Sequence, residues 1–398
     1  MHGQIPPPRP GLPVTPRWAA VYALTFGVFG LITAEFLPMS LLTPMAVDLG
    51  VSEGLAGQAV TATAVVALFT GLLIATLTRG VDRRIVLLGF SVLLILSNLL
   101  VALAPNFTVL LTGRLLLGVG IGGFWTMSAA VAMRLVPADQ VPKALSLIFA
   151  GVSLATVVAA PLGSWLGALI GWREVYLGGA GVGILALIAQ WITLPSMTSS
   201  GAASMRTLVL VLLRPGVWQG IICVALVFTG HFALFTFIRP FLEISLNASV
   251  AWITIFLLGF GAANFAGTLL AGPMIRRSLG FTLISMPLLA GASALALSGL
   301  GEASVLSLVM VSLWGMAFGG VPVAWTTWNT RIASDEPESA GGLIVAAIQF
   351  AIALGAGTGG LVFEGVGASG VYTYGAAVLI IASLLIAVGV KAPARISA

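Results

Sequence analysis

The sequence predicts an all-α membrane protein of twelve transmembrane helices, built as two six-helix halves that repeat one another. Three observations carry that expectation. Of the 398 residues, 59% are hydrophobic and only 7% charged, whereas a soluble domain carries about a quarter charged. Apolar runs of about 20 residues, the length that crosses a hydrocarbon layer as a helix, recur along the whole chain. A glycine pattern in one such run also returns half a chain later, within "GVGIGGFWTMSAAVAMR" from Gly118 and "GMAFGGVPVAWTTWNTR" from Gly315.

The elements follow in order. Residues 1–17, "MHGQIPPPRPGLPVTPR", are proline-rich without an apolar core and read as a disordered cytoplasmic tail. The apolar run behind them is too long for a cleavable leader and contains an acid, so it reads as a retained first span. The N-terminal half is expected over 18–194, with spans near 18–41, 57–78, 85–104, 107–133, 144–166 and 174–194. A cytoplasmic linker, 195–216, joins it to the C-terminal half, 217–390. The spans of that half fall near 217–240, 250–272, 281–300, 303–328, 340–362 and 370–390, and 391–398 form a second cytoplasmic tail.

Repetition supports the division. Gly118, Gly122, Gly123 and Arg134 match Gly315, Gly319, Gly320 and Arg331 at a common offset of 197 residues, and Arg83-Arg84 has an echo in Arg276-Arg277. Two repeated halves with a site between them near the midplane are a common plan of secondary transporters. Orientation follows from the cations. Of 17 Lys and Arg, 14 fall in the tails, the linker and the loops that share their side. Only Arg173 and Arg239 fall opposite, and Arg114 lies within a span. Positive charge marks the cytoplasmic side, so both termini are expected there, in a bacterial inner membrane.

Composition excludes several functions. One cysteine, Cys223, and two histidines, His2 and His231, rule out an internal disulfide and a Cys/His metal centre. No cofactor, no metal and no enzyme activity are expected, since neither paired catalytic carboxylates nor a Ser-His partnership is visible. The net charge of +5 is a topology signal spread between apolar runs, not a nucleic-acid surface. Gly118, Gly120 and Gly123 match a nucleotide-loop pattern but lie inside a span with no strand before them, where small residues serve helix packing.

The stretch "FGVFGLITAEFLPMSLLTP" holds the residue that most needs explaining. Of twelve acids, only Glu35 lies well within a span. A charged side chain at that depth costs about 3 kcal/mol, so it faces protein or a watery cavity. Apolar surroundings favour the neutral carboxyl and a nearby arginine the charged one, so the proton can come and go as surroundings change. Arg114 is the only cation within a span. Counted from the span ends at about 1.5 Å per residue, it lies at nearly the depth of Glu35. The two are the proton-coupling candidates, with a static ion pair that fixes helix register as the alternative. His231, in the seventh span, is either a further proton site or a neutral hydrogen-bonding imidazole. Phe124, Trp125, Asn264, Trp314, Asn329 and Gln349 offer aromatic faces and amides suited to a flat, neutral, hydrogen-bonding ligand, or else they pack helices.

At these residues the chain resembles the major facilitator superfamily, in its branch of twelve-span drug:proton antiporters. "LLTGRLLLGVG" carries the span-four motif with Arg114 and Gly118. "APLGSWLGALIGWR" is similar to the antiporter motif of span five, with Pro161, Gly163 and Gly167. "TRGVDRRIVLL" is a degenerate form of the loop motif between spans two and three: Arg83 and Arg84 match, Arg79 stands at the usual acid position and Asp82 at a glycine. The strings "EFLPMSLLTPMAVDLGVSEGLAGQ" and "GGFWTMSAAVAMRLVP" extend the likeness to bacterial exporters of purine ribonucleosides. The resemblance implies the major facilitator fold, a monomer, and Asp82, Arg83 and Arg84 at an inner gate. It also implies proton-driven efflux of nucleosides such as inosine and guanosine, with sugars or diverse drugs as the alternative cargo. The implied partners are a small-molecule substrate, protons and the lipid bilayer, with no nucleic acid.

Overall fold

A backbone surrounded by hydrocarbon must satisfy its polar groups within its own segment, and the helix does so. The computed structural model describes residues 16–137, 140–197, 205–333 and 337–390, and among them it is helical throughout the apolar runs. The helices of the first half are α1 (Trp18–Leu49), α2 (Glu53–Leu77), α3 (Arg83–Ala102), α4 (Phe107–Leu135), α5 (Val141–Ile170) and α6 (Trp172–Thr193). A short α7 (Met205–Leu212) lies within the expected linker. The second half comprises α8 (Val217–Thr236), continued by α9 (Ile238–Pro240) and a π-helical turn (Phe241–Ser245), then α10 (Val250–Arg277), α11 (Leu279–Ser298), α12 (Val305–Ile332) and α13 (Pro337–Gly389). The expected tails lie outside the described residues, apart from positions 16 and 17.

Eleven of these helices are long and apolar enough to cross a membrane. The last of them holds two crossings, because Gly367 breaks α13 at φ 78° and ψ −175°, a conformation that an L side chain resists. Twelve crossings result, with ends close to those expected. The chief difference is α1, which runs on to Leu49 through Pro38 and Pro44. Loop polar residues close the helix starts: Asn106, Ser249, Ser278 and Ser304 each accept an N–H from the first turn that follows.

The repeat detected in the sequence is a packing device. A β-carbon on Gly118 would lie 2.5 Å from the Thr63 carbonyl, and one on Gly122 would strike the Ala67 backbone, so α4 and α2 touch backbone to backbone. Gly315 and Gly319 do the same on Phe260 and Asn264, bringing α12 onto α10. The partners obey the 197-residue offset as well as the glycines.

The halves meet at the end of the bundle away from the termini, here called the far face. Met39, Val60, Ala64 and Ala160 join the core of the second half, and Leu42, Ala46 and Ala56 pack with Phe237 and Val371. At this end α2 runs against α13, where Gly360 closes on Gly54. Deeper in the bundle α5 runs against α10, where Gly261 closes on Val157. Nearer the termini, a wholly apolar cleft of about 340 Å³ opens between α2, α8 and α13, lined by residues including Leu68, Ile221, Leu343 and Phe350. It contains none of the polar candidates.

Candidate functional site

Pro38 explains the geometry around Glu35. A proline in a helix has no N–H for the carbonyl four residues earlier, so Ala34 loses its helical donor. Arg114 supplies one. Its Nη1 donates to Ala34 O at 2.7 Å, its Nη2 to Glu35 O at 3.3 Å and its Nε to Ala59 O at 3.3 Å. Thr63 Oγ1 donates to the carbonyl of Arg114 itself at 3.3 Å. The guanidinium is fully buried and ties α4 to α1 and α2.

The structure thus brings the two intramembrane charges together, as their depths suggest, but through the backbone of Glu35. Among the described residues, no hydrogen bond or ion pair joins the Glu35 carboxylate to Arg114. Glu35 is 6% exposed. It keeps its acceptor capacity beside a fixed cation, one residue from Phe36, whose ring packs edge-on against Phe235 of the second half at 5.7 Å. Any movement between the halves changes its surroundings.

His231 lies elsewhere, in an aromatic cluster of the second half. It stacks on Phe318 and Phe235. Trp314 Nε1 donates to its Nδ1 at 3.2 Å. Indole nitrogen only donates, so Nδ1 is unprotonated and the ring is the neutral tautomer with its proton on Nε2. Trp314 is itself fully buried, with its polar atom committed to the histidine.

The remaining candidates divide by environment. Phe124 is buried, and Trp125 is half-buried with its ring 5.5 Å from that of Phe149, more than half of which is exposed. Asn264 Nδ2 donates to Gly315 O at 3.3 Å, which fastens α10 to α12. Asn329 Oδ1 and Gln349 Oε1 are buried acceptors with no hydrogen-bond partner among the described residues. Among the described residues, no hydrogen bond or ring contact joins the Phe124–Trp125 pair to Asn264, Trp314, Asn329 or Gln349.

Asp82, Arg83 and Arg84 hold the first half to its own end. Asp82 caps α3 by accepting Arg84 N–H at 2.8 Å, and it accepts the Ser196 hydroxyl and Met197 N–H from the chain leaving α6. The Ser196 hydroxyl first, then the Met197 and Arg84 amides, hold its carboxyl below the usual carboxylate range. Arg83 donates to Thr78 Oγ1 at 2.7 Å and Arg84 to Trp191 O at 2.6 Å. In this conformation the three bind within their own half.

Sequence reasoning missed Arg239 as more than a loop cation, although it makes a contact between the halves. Its Nη1 donates to Ser40 O of α1 at 2.5 Å. The available signal was Pro44, four residues beyond Ser40.

Comparison with known proteins adds an independent finding. Residues 24–360 match the Major Facilitator Superfamily. The chain is 45% identical over 376 residues to the purine ribonucleoside efflux pump NepI of Salmonella enteritidis PT4, covering 94% of this chain and 95% of the relative. It is also 45% identical over 372 residues to the transcription regulatory protein OpdE of Pseudomonas aeruginosa PAO1, covering 92% of each. Among solved structures, it superposes on a D-xylose-proton symporter with a TM-score of 0.76 at 18% identity, covering 94% of this chain and 98% of that one. A bacterial homologue of the human lysosomal transporter Spinster, in an inward-facing and unoccupied conformation, gives 0.72 at 16% identity, covering 94% and 95%. At these identities the structural likeness speaks to the fold alone.

Proposed function

The chain belongs to the major facilitator superfamily, and from that premise we propose that it exports purine ribonucleosides such as inosine and guanosine by alternating access, in exchange for protons. The membrane is the bacterial inner membrane and the termini are cytoplasmic, as the placement of Lys and Arg favours. The far face is then the outer face, and the conformation is sealed to the outside. The 45% identity to the purine ribonucleoside efflux pump NepI supports the substrate class.

One observation carries the coupling: a buried carboxylate with no side-chain hydrogen bond among the described residues lies beside the seam between the halves, next to a cation pinned to its backbone. In the outward-open state Glu35 takes a proton from the outer medium. Its neutral form suits the dry interior through which the halves pass. Opening to the cytoplasm wets the site, and the fixed Arg114 charge favours release of the proton inward. The ionised, hydrated site then accepts a nucleoside, which leaves on the outer side when the next proton arrives. Trp125 offers a ring for the base, and the acceptors on Asn329 and Gln349, unpartnered among the described residues, suit its N–H groups and ribose hydroxyls.

The test is accumulation of labelled inosine in inverted vesicles under an imposed pH gradient, acid inside, against a panel of sugars and cationic drugs. Saturable, gradient-dependent accumulation of purine ribonucleosides is expected. Accumulation of sugars or drugs with no response to nucleosides replaces the substrate reading, and indifference to the gradient removes the coupling.

A further inference from the structure

Two carbonyls of α1 lose their helical donor to proline. Ala34 is served by Arg114 from within the same half. Ser40, deprived by Pro44, is served from the other half, by Arg239 Nη1 at 2.5 Å. Arg239 Nε donates to Glu243 Oε1 at 2.8 Å, so one guanidinium spans its own carboxylate and the opposite half. The arginine is 6% exposed. The arginine sits in the short α9, between the end of α8 at Thr236 and the π-helical turn that begins at Phe241. Such turns are rare and occur frequently at functional sites.

A charge-assisted hydrogen bond in a dry seam is stronger than one between neutral groups. Opening the far face breaks it and leaves Ser40 O to water alone, because Pro44 gives it no donor along the helix. We propose that Arg239 is the latch of the far face, a positioning residue that sets how often the outer side opens, with the proline-freed carbonyl of Ser40 as its keeper. The inference rests on the alternating-access reading and adds a component to it. Glu243 holds the guanidinium in place, and Pro44 makes the keeper receptive.

Thr61 gives the means to test this. Its hydroxyl is buried without a partner among the described residues and lies 3.7 Å from where a β-carbon on Gly357 of the opposite half would stand. Thr61→Cys therefore fits the closed seam and reports its opening to a membrane-impermeant maleimide added outside intact cells. Cys223 is buried, and the parent protein without Thr61→Cys corrects for it.

In the Thr61→Cys background, Arg239→Gln should raise the labelling rate about tenfold, the scale of one hydrogen bond to a charged group. Arg239→Lys should fall between parent and Gln. Pro44→Ala restores a helical donor to Ser40 and should also raise labelling, and its effect should largely vanish once Arg239→Gln is present. Arg239→Gln/Glu243→Gln leaves no stranded carboxylate and should label like Arg239→Gln, which guards against misfolding of the single variant. Unchanged labelling in both Gln variants, in protein inserted at parental levels, overturns the latch. Fully additive effects of Pro44→Ala and Arg239→Gln overturn the assignment of Ser40 O. Inosine transport by the parent is measured alongside. Its failure counts against the nucleoside reading while leaving the labelling result to decide the latch.

Discussion

A single carboxylate in an apolar helix is costly unless its charge is used, and Glu35 gives that idea a direct test. Glu35→Gln keeps the shape and most hydrogen-bonding capacity while removing the proton site. Insertion should be unaffected, and exchange of labelled for unlabelled inosine should persist. Uphill accumulation in inverted vesicles under an imposed pH gradient should disappear, and a variant that still concentrates inosine as the parent does makes Glu35 structural. A second prediction concerns Arg114, whose three donors serve α1 and α2 carbonyls. Arg114→Met should cost about 3 kcal/mol, since orphaned buried carbonyls lose more than the bond is worth. It should lower the thermal midpoint in detergent by several degrees. In a Pro38→Ala background Ala34 regains its helical donor, so the same change should cost measurably less; equal losses in both backgrounds reject the account. Glu35 and Arg114 stood out in the sequence because nothing else ionisable lies so deep among the cations and acids. The partners of Arg114 did not stand out, because carbonyls have no letter of their own. Only the spacing of Pro38 from Ala34 hinted that one was free. The bond from Trp314 to His231 joins α12 to α8 and had no signal in either segment alone.

Helices were legible because hydrocarbon leaves the backbone few alternatives, and eleven expected starts fall within a few residues of the observed ones. The break inside α13 was expected as a loop between 362 and 370, and the structure reduces it to one glycine with positive φ. The helix α7 was not expected, since its eight residues are shorter than the window of about 11–18 residues over which helical periodicity is read. The glycine repeat was visible as a pattern, but its meaning needed coordinates, because the partners at Thr63, Ala67, Phe260 and Asn264 share no residue type. The contact is to backbone, which any residue supplies. This makes an element-scale prediction. Gly122→Ala and Gly319→Ala each place a β-carbon against fixed backbone and should destabilise by about 1–3 kcal/mol. Gly178→Ala meets nothing within 4 Å on an exposed helix face, and it should be neutral or stabilising by about 0.5–1 kcal/mol. Thermal denaturation of the three purified variants decides the matter, and similar losses for all three contradict backbone contact as the cause.

At the scale of the whole molecule, the repeated halves carry different chemistry on one frame. The first holds the carboxylate and its pinned arginine; the second holds an aromatic cluster around a neutral histidine. Their seam closes at the far face and continues deeper between α5 and α10, so transport by rocking requires that end to open while the other closes. A fixed pore requires no such exchange, and the two mechanisms separate when the seam is clamped. Ser52 at the start of α2 donates its hydroxyl to Glu364 of α13, a contact between the halves at the exposed rim. Ser52→Cys with Glu364→Cys places two thiols at that point, and Cys223 is buried. A short bifunctional maleimide with a cleavable disulfide in its spacer should join them in the conformation seen here. The clamped protein should still bind inosine from the cytoplasmic side, since that side does not depend on the rim, and binding is read by equilibrium dialysis on purified protein. Accumulation in inverted vesicles should fall to background, because the far face can no longer open to exchange proton for substrate. Reduction of the spacer should restore accumulation, which a denatured protein would not do. Each single-cysteine variant treated with the same reagent should transport as before. If the clamped protein carries inosine at the parental rate, the halves do not need to part at this end, and a mechanism in which Glu35 is served alternately from the two sides falls with that result.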